Sequence, residues 1–221
     1  MLKSQRKPFE TPYDLLKVYR AAYEKTKYLQ DADEKILALS DVINYCASSK
    51  ICVESDNTKR NQVLFWTYSN IGDFFLEKNR DEPSEENYVY ALEYFKNAIE
   101  FINSYAYQKS VLEKMVYIYN ELQDEKSAQK TKEQIVSLEP EEMKRQALVE
   151  LANGTDDIKL QTEYLENALN FVMYENVSVM EKCKNTLEIC SRLLTIYELT
   201  NNMPDYERIK NLQKSTLELL N

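Results

Sequence analysis

Four cysteines and 37 carboxylates are the residues of this chain best suited to chemistry, and their spacing decides which kind. Cys46 and Cys52 form C-x5-C and Cys183 and Cys190 form C-x6-C, so neither pair has the short knuckle spacing of a zinc site. In a secreted protein the four could close two bridges, but Cys183 and Cys190 stand i, i+7 in an apolar helical stripe, and buried free thiols are expected. Histidine is absent, which removes His-based acid–base catalysis, nucleophile–His pairs and His-containing metal sites. The two glycines, Gly72 and Gly154, are isolated and make no phosphate-cradling loop. A carboxylate pair could act as acid and base or hold a hard cation, yet the Glu/Lys alternation reads as solvated helix faces. No catalytic residue, metal ligand or cofactor is assigned, and a non-enzymatic protein is expected.

The elements that must position any site follow from composition. With 221 residues and 43% hydrophobic content, the chain can bury one continuous core or two small ones. Only two Gly and five Pro leave little for tight hairpins, while Leu, Glu, Lys, Ala and Gln are plentiful, so the class is all-α. A net charge of −9 argues against nucleic acid or an anionic membrane as the main partner and favours basic ones. No apolar run approaches the roughly 20 residues that span a bilayer, and the basic start from Met1 to Lys7 has no hydrophobic run behind it. A soluble, cytoplasmic protein is expected, in which the sequons at Asn153 and Asn176 carry no meaning.

The stretch 68–101 organises the rest. Tyr68, Ile71 and Phe75 share a helical stripe with Gly72 beside them. Gly inside a helix costs roughly 1 kcal/mol against Ala, so Gly72 marks a close crossing with a second helix. That partner is the run from Tyr88 to Phe101, where Ala91, Phe95 and Ala98 fall at i, i+4 and i+7, with Leu92, Ile99 and Ile102 widening the face. This spacing resembles the tetratricopeptide repeat (TPR) pattern of aromatic, Leu-Gly, Tyr, Ala, Phe, Ala and Pro. One departure is visible, since 80–87 lengthens the turn by about seven residues beyond the roughly 34-residue period and adds an acidic projection.

Other copies recur along the chain. Leu16, Tyr19 and Tyr23 precede Ala32, Ile36 and Leu39, with Asp31 as N-cap and Glu34 completing a capping box. An irregular insertion at 48–57 follows, with helix resuming near Thr58. Leu112, Met115, Val116 and Tyr119 precede Ala128, Ile135 and Pro140, with Lys132 where an apolar residue is usual. Leu148, Val149 and Ala152 precede Leu165 and Ala168, with Gly154 at an expected left-handed C-cap. Cys190, Leu193, Leu194 and Tyr197 precede a last helix with Tyr206, Ile209, Leu212 and Leu220 in its stripe. The resemblance implies an α-solenoid of about five TPR-like helix pairs forming a right-handed superhelix. The expected organisation is a mobile basic lead-in over 1–12 and a single helical repeat domain over 13–221, with insertions near 48–57 and 80–87.

The resemblance also implies which residues line a concave groove, namely first-helix positions 2, 5, 9, 12 and 13 of each copy. Across five copies these comprise nine acidic and two basic residues. The groove residues expected to bind a partner are Trp66, Ser69, Asp73, Glu77, Glu113, Tyr117, Asn120, Glu121, Glu150 and Asn153. A concave wall of one sign recruits the opposite charge, so the expected partner is a basic or amphipathic segment of another protein, bound by an adaptor, scaffold or chaperone-like module. The alternative is a structural subunit that uses its convex face and insertions inside a larger complex. Some TPR proteins grip a C-terminal carboxylate with Lys, Asn, Asn, Lys and Arg. Here Lys17, Asn70 and Lys114 match three places and Ala21 and Ser110 depart at two, which argues against carboxylate capture.

Overall fold

The computed structural model describes residues 12–48 and 54–220, which form ten α-helices and, among the described residues, no strand. In order these are α1 (Pro12–Thr26), α2 (Ala32–Ser48), α3 (Glu54–Asp81), α4 (Glu85–Ile99), α5 (Tyr105–Glu121), α6 (Glu125–Leu138), α7 (Glu141–Asn153), α8 (Ile158–Phe171), α9 (Val179–Leu199) and α10 (Met203–Glu218), with a 3-10 turn at Val172–Tyr174. The basic lead-in, save its last residue, and the middle of the insertion, 49–53, lie outside the described residues. Two compact units divide the chain, Met1–Thr131 and Lys132–Asn221, and the boundary falls inside α6. Sequence-adjacent helices pack as pairs, α1 with α2 and α3 with α4 in the first unit, α7 with α8 and α9 with α10 in the second.

In the first unit α3 is the spine, packing on α1, α2 and α4. Leu15 and Tyr19 of α1, Leu39, Val42 and Cys46 of α2, and Val63, Leu64 and Ile71 of α3 form one buried cluster. On the other side of α3, Ala91, Leu92, Phe95 and Ala98 of α4 are buried, at the spacing that marks an inward helix stripe. Gly72 lies directly beneath the Phe95 ring. The small residue is therefore what lets the two helices cross closely.

The added length of this pair is helix, which corrects the long acidic turn expected at 80–87. Helix α3 continues to Asp81 and α4 starts at Glu85, so only 82–84 join them. Seven residues are about two helical turns, so each helix gains roughly one turn and the packing stripes stay in phase. Two buried asparagines close the tip: the Asn79 side-chain oxygen accepts from the Ser84 N–H at 2.8 Å and the Asn87 amide donates to the Glu82 carbonyl at 3.0 Å. Ser84 caps α4, its hydroxyl accepting from the Glu86 N–H at 3.2 Å. The other end of α3 is also longer than expected, since the helix begins at Glu54 and not near Thr58.

The second unit is built on Leu148 and Ala152 of α7, Tyr164, Leu165 and Ala168 of α8, Ile189, Cys190, Leu193 and Tyr197 of α9, and Ile209 of α10. Its buried tyrosines end in polar partners, with the Tyr164 hydroxyl donating to Glu133 and that of Tyr197 to Glu166. Of the stripe expected for the last helix only part is used, because Ile209 is fully buried while Leu212 and, beyond the end of α10, Leu220 are exposed. Among the described residues α10 packs chiefly on α9, which leaves these residues in water.

Left-handed helix ends occur where the sequence did not mark them. Gln123 (φ 57°) and Asn201 (φ 55°) follow α5 and α9. Each donates its N–H to a carbonyl three residues back, and the next residue donates to one five back, as in Asp124 to Tyr119 and Asn202 to Tyr197, both at 2.9 Å. Gly154, expected in this conformation, has φ −91°. Its N–H bonds the Glu150 and Leu151 carbonyls at 3.1 Å, closing α7 with right-handed geometry.

Candidate functional site

The residues expected to line the groove lie on three helices, α3 and α5 in the first unit and α7 in the second. On α3, Trp66 is half-buried and stacks on Tyr19 of α1 with ring centroids 5.6 Å apart. Asn70 joins the two helices by donating to the Tyr19 hydroxyl at 2.8 Å and to the Trp66 carbonyl at 2.7 Å. Ser69, Asp73 and Glu77 are also half-buried. Asp73 receives Lys114 of α5 at 2.6 and 2.8 Å, and Glu77 receives Lys35 of α2 at 2.5 Å.

These two ion pairs change the electrostatics read from groove positions alone. Of the four carboxylates at the named positions of α3 and α5, two are matched by cations from neighbouring helices, and Glu113 and Glu121 carry the remaining charge. Lys35 is 42 residues from Glu77 in sequence and gave no signal there. Asn70 and Lys114, two of the three matches to the carboxylate clamp, are engaged inside the protein, which fits the earlier argument against carboxylate capture.

Helix α5 presents the open face. Glu113, Tyr117, Asn120 and Glu121 fall at i, i+4, i+7 and i+8 and are all exposed, with Tyr117 51% exposed. Tyr88 of α4 meets Tyr117 edge-on at 6.5 Å and donates to Glu121 at 3.4 Å. Burial, then Tyr117 and Glu121, push the Tyr88 hydroxyl up to about 12. Beside it opens a cavity of about 470 Å³, lined by the hairpin tip (Asn79, Pro83, Ser84, Glu85), Tyr88 and the end of α5 (Glu121, Leu122, Gln123). Glu85 and Glu121 are the charged side chains of this lining, and no cation stands among them. The sequence flagged the hairpin extension but not the cavity, which needs the lengthened tip of α3 and α4 to reach the left-handed end of α5.

In the second unit, Glu150 and Asn153 are exposed on α7, and Glu150 accepts from Gln146 at 3.1 Å. A separate cavity of about 450 Å³ has Val136, Leu148, Leu151, Leu160 and Phe171 as its apolar wall and Glu133, Glu163 and Lys144 among its polar lining. Lys144 sits 5.3 Å from the centre of the Phe171 ring. Among the described residues no group of three or more Cys, Asp or Glu comes together as metal ligands would, and no helix is long and apolar enough to cross a membrane.

Paired amphipathic helices with a small residue at a close crossing make an all-α fold of sequence-adjacent helix pairs, an arrangement that resembles TPR-like repeats. The chain is similar in structure to crystal structures of a Podosopora anserina putative kinesin light chain with nearly identical TPR-like repeats. One shows 14% identity, coverage of 94% of this chain and 96% of that one, and a TM-score of 0.41. A second shows 14% identity, coverage of 95% and 97%, and a TM-score of 0.37. A computationally designed self-assembling cyclic homooligomer shows 12% identity, coverage of 94% and 88%, and a TM-score of 0.29. No protein-family model and no curated protein matches the chain.

Proposed function

We propose that this chain is a protein-interaction module whose α5 face and adjoining acidic cavity take a basic or amphipathic segment of another protein. The observation that carries this reading is Tyr117, half exposed, with Glu113 and Glu121 one turn away on either side. An aromatic face between two carboxylates suits a Lys or Arg, which gains a cation–π contact and a charge-assisted hydrogen bond together. The cavity beyond Glu121 adds Glu85 with no competing cation. The binding centre thus lies on α5 and the hairpin tip, while Asp73 and Glu77 hold helices together. The process this binding serves is that of an adaptor or scaffold.

A random peptide display library selected on the wild-type protein tests this. The expected binders are rich in Lys and Arg and weaken between low and physiological salt, where the Debye length shrinks to about 8 Å. Glu113→Lys with Glu121→Lys should slow their association while leaving helicity intact, because both positions are exposed. Lys114→Gln should act in the opposite sense by freeing the Asp73 carboxylate. Binders without charge bias, indifferent to salt and to charge reversal, would overturn the reading.

A further inference from the structure

Between α8 and α9 the second unit displays apolar side chains where a connecting loop is ordinarily polar. Met173 is 69% exposed, Tyr174 50%, Val177 44%, Val179 73% and Met180 61%. The backbone beneath them is fixed. Glu175, buried, receives Arg145 of α7 at 2.6 Å and Asn185 of α9 at 2.8 Å. Lys182 donates to the Met173 carbonyl at 2.6 Å, and Ser178 caps α9 by accepting from Glu181. The display is therefore held in place by a buried ion pair, and exposed apolar side chains gathered in one short segment mark an interaction site.

We infer that this patch is the contact by which two copies of the chain associate about a two-fold axis. The argument is electrostatic. A two-fold contact sets each patch against itself, so any net charge in it meets its own sign. The chain as a whole carries −9, yet from Val172 to Met180 the single ionisable carboxylate, Glu175, is buried and matched by Arg145. The rim carries both signs, Glu181 and Lys184 lying 3.6 Å apart. A neutral apolar patch on an acidic protein is where a second copy meets the least repulsion, whereas a basic partner is drawn to the acidic cavity instead. Methionines suit such a contact because their flexible, polarisable side chains adapt to the facing surface. This inference is independent of the α5 site.

Sedimentation equilibrium of the full chain over micromolar to millimolar concentration tests it. The expected result is a reversible monomer–dimer equilibrium whose association constant falls at least roughly tenfold in Met173→Glu with Val179→Glu, each copy then burying unpaired charge. Both side chains are exposed, so circular dichroism of the variant should match the wild type. Glu113→Lys with Glu121→Lys should leave the dimer in place. A wild type that stays monomeric throughout, or a dimer that the double variant does not weaken, overturns the inference.

Discussion

A Cβ added to Gly72 would stand 2.6 Å from Cε1, 2.8 Å from Cδ1 and 2.9 Å from Cζ of Phe95, inside any allowed contact. Phe95 is fully buried. Gly72→Ala gains up to about 1 kcal/mol of helix propensity, but overpacking a closed core costs about 1–3 kcal/mol. The second effect should win, with a lower denaturation midpoint for Gly72→Ala and a larger loss for Gly72→Leu. Adding Phe95→Leu should recover part of the Ala loss. An alanine variant as stable as wild type would show that Phe95 does not close the crossing.

Gly154 invites the opposite experiment. Its φ of −91° is open to any L residue, and the nearest heavy atom to an added Cβ is the Glu150 carbonyl oxygen at 3.5 Å, an ordinary contact. Gly154→Ala should stabilise by about 0.4–1 kcal/mol through the unfolded chain. At Gln123, with φ 57°, a glycine removes the left-handed strain, and Gln123→Gly should gain about 0.5–1 kcal/mol. Chemical denaturation distinguishes the two, since loss of stability at either site contradicts its backbone geometry.

Arg145 and Glu175 form the most shielded ion pair described, with side chains 15% and 8% exposed. Removing one partner strands the other, so Arg145→Ala should cost about 3 kcal/mol and Glu175→Ala a comparable amount. Replacing both with apolar residues of similar volume should cost less than either single change. Additive losses in that double-mutant cycle would show that the pair contributes nothing beyond its separate packing.

Alkaline pH should unfold the protein through groups that burial holds protonated. Burial raises the Cys46 and Cys190 thiols from 9.0 to about 11, and it raises Tyr19 from 10.0 to about 12, with Tyr23 adding to the shift and the Asn70 hydrogen bond opposing it. Folded values above unfolded ones mean the stabilisation is complete below about pH 9 and is lost as pH climbs through 11 to 12. The urea midpoint should decline over that window, with part of the tyrosinate absorbance appearing only on unfolding. A midpoint flat from pH 9 to 12 would contradict the burial of these groups.

The sequence alone determined the helices and much of their pairing. Helical stripes depend on residues three and four apart, so Ala91, Phe95 and Ala98 announce their buried face locally, and Gly72 announces a close neighbour because glycine has little other reason to sit in a helix. In the lengthened hairpin the sequence marked the seven added residues but read them as turn, and the structure makes them helix. Tertiary structure decided what depends on distant partners. Lys35 and Lys114 reach Glu77 and Asp73 from helices 42 and 41 residues away, so an acid count by position overstated the charge of the α3 face. Gln123 adopts a left-handed end where glycine was the expected signal, while Gly154 does not, because the carbonyls that a helix end must satisfy, and not residue type alone, set its last φ. The cavity beside Glu121 exists only because the closed tip at Asn79 and Ser84 stands next to Tyr88 and the end of α5, a proximity that no local spacing encodes.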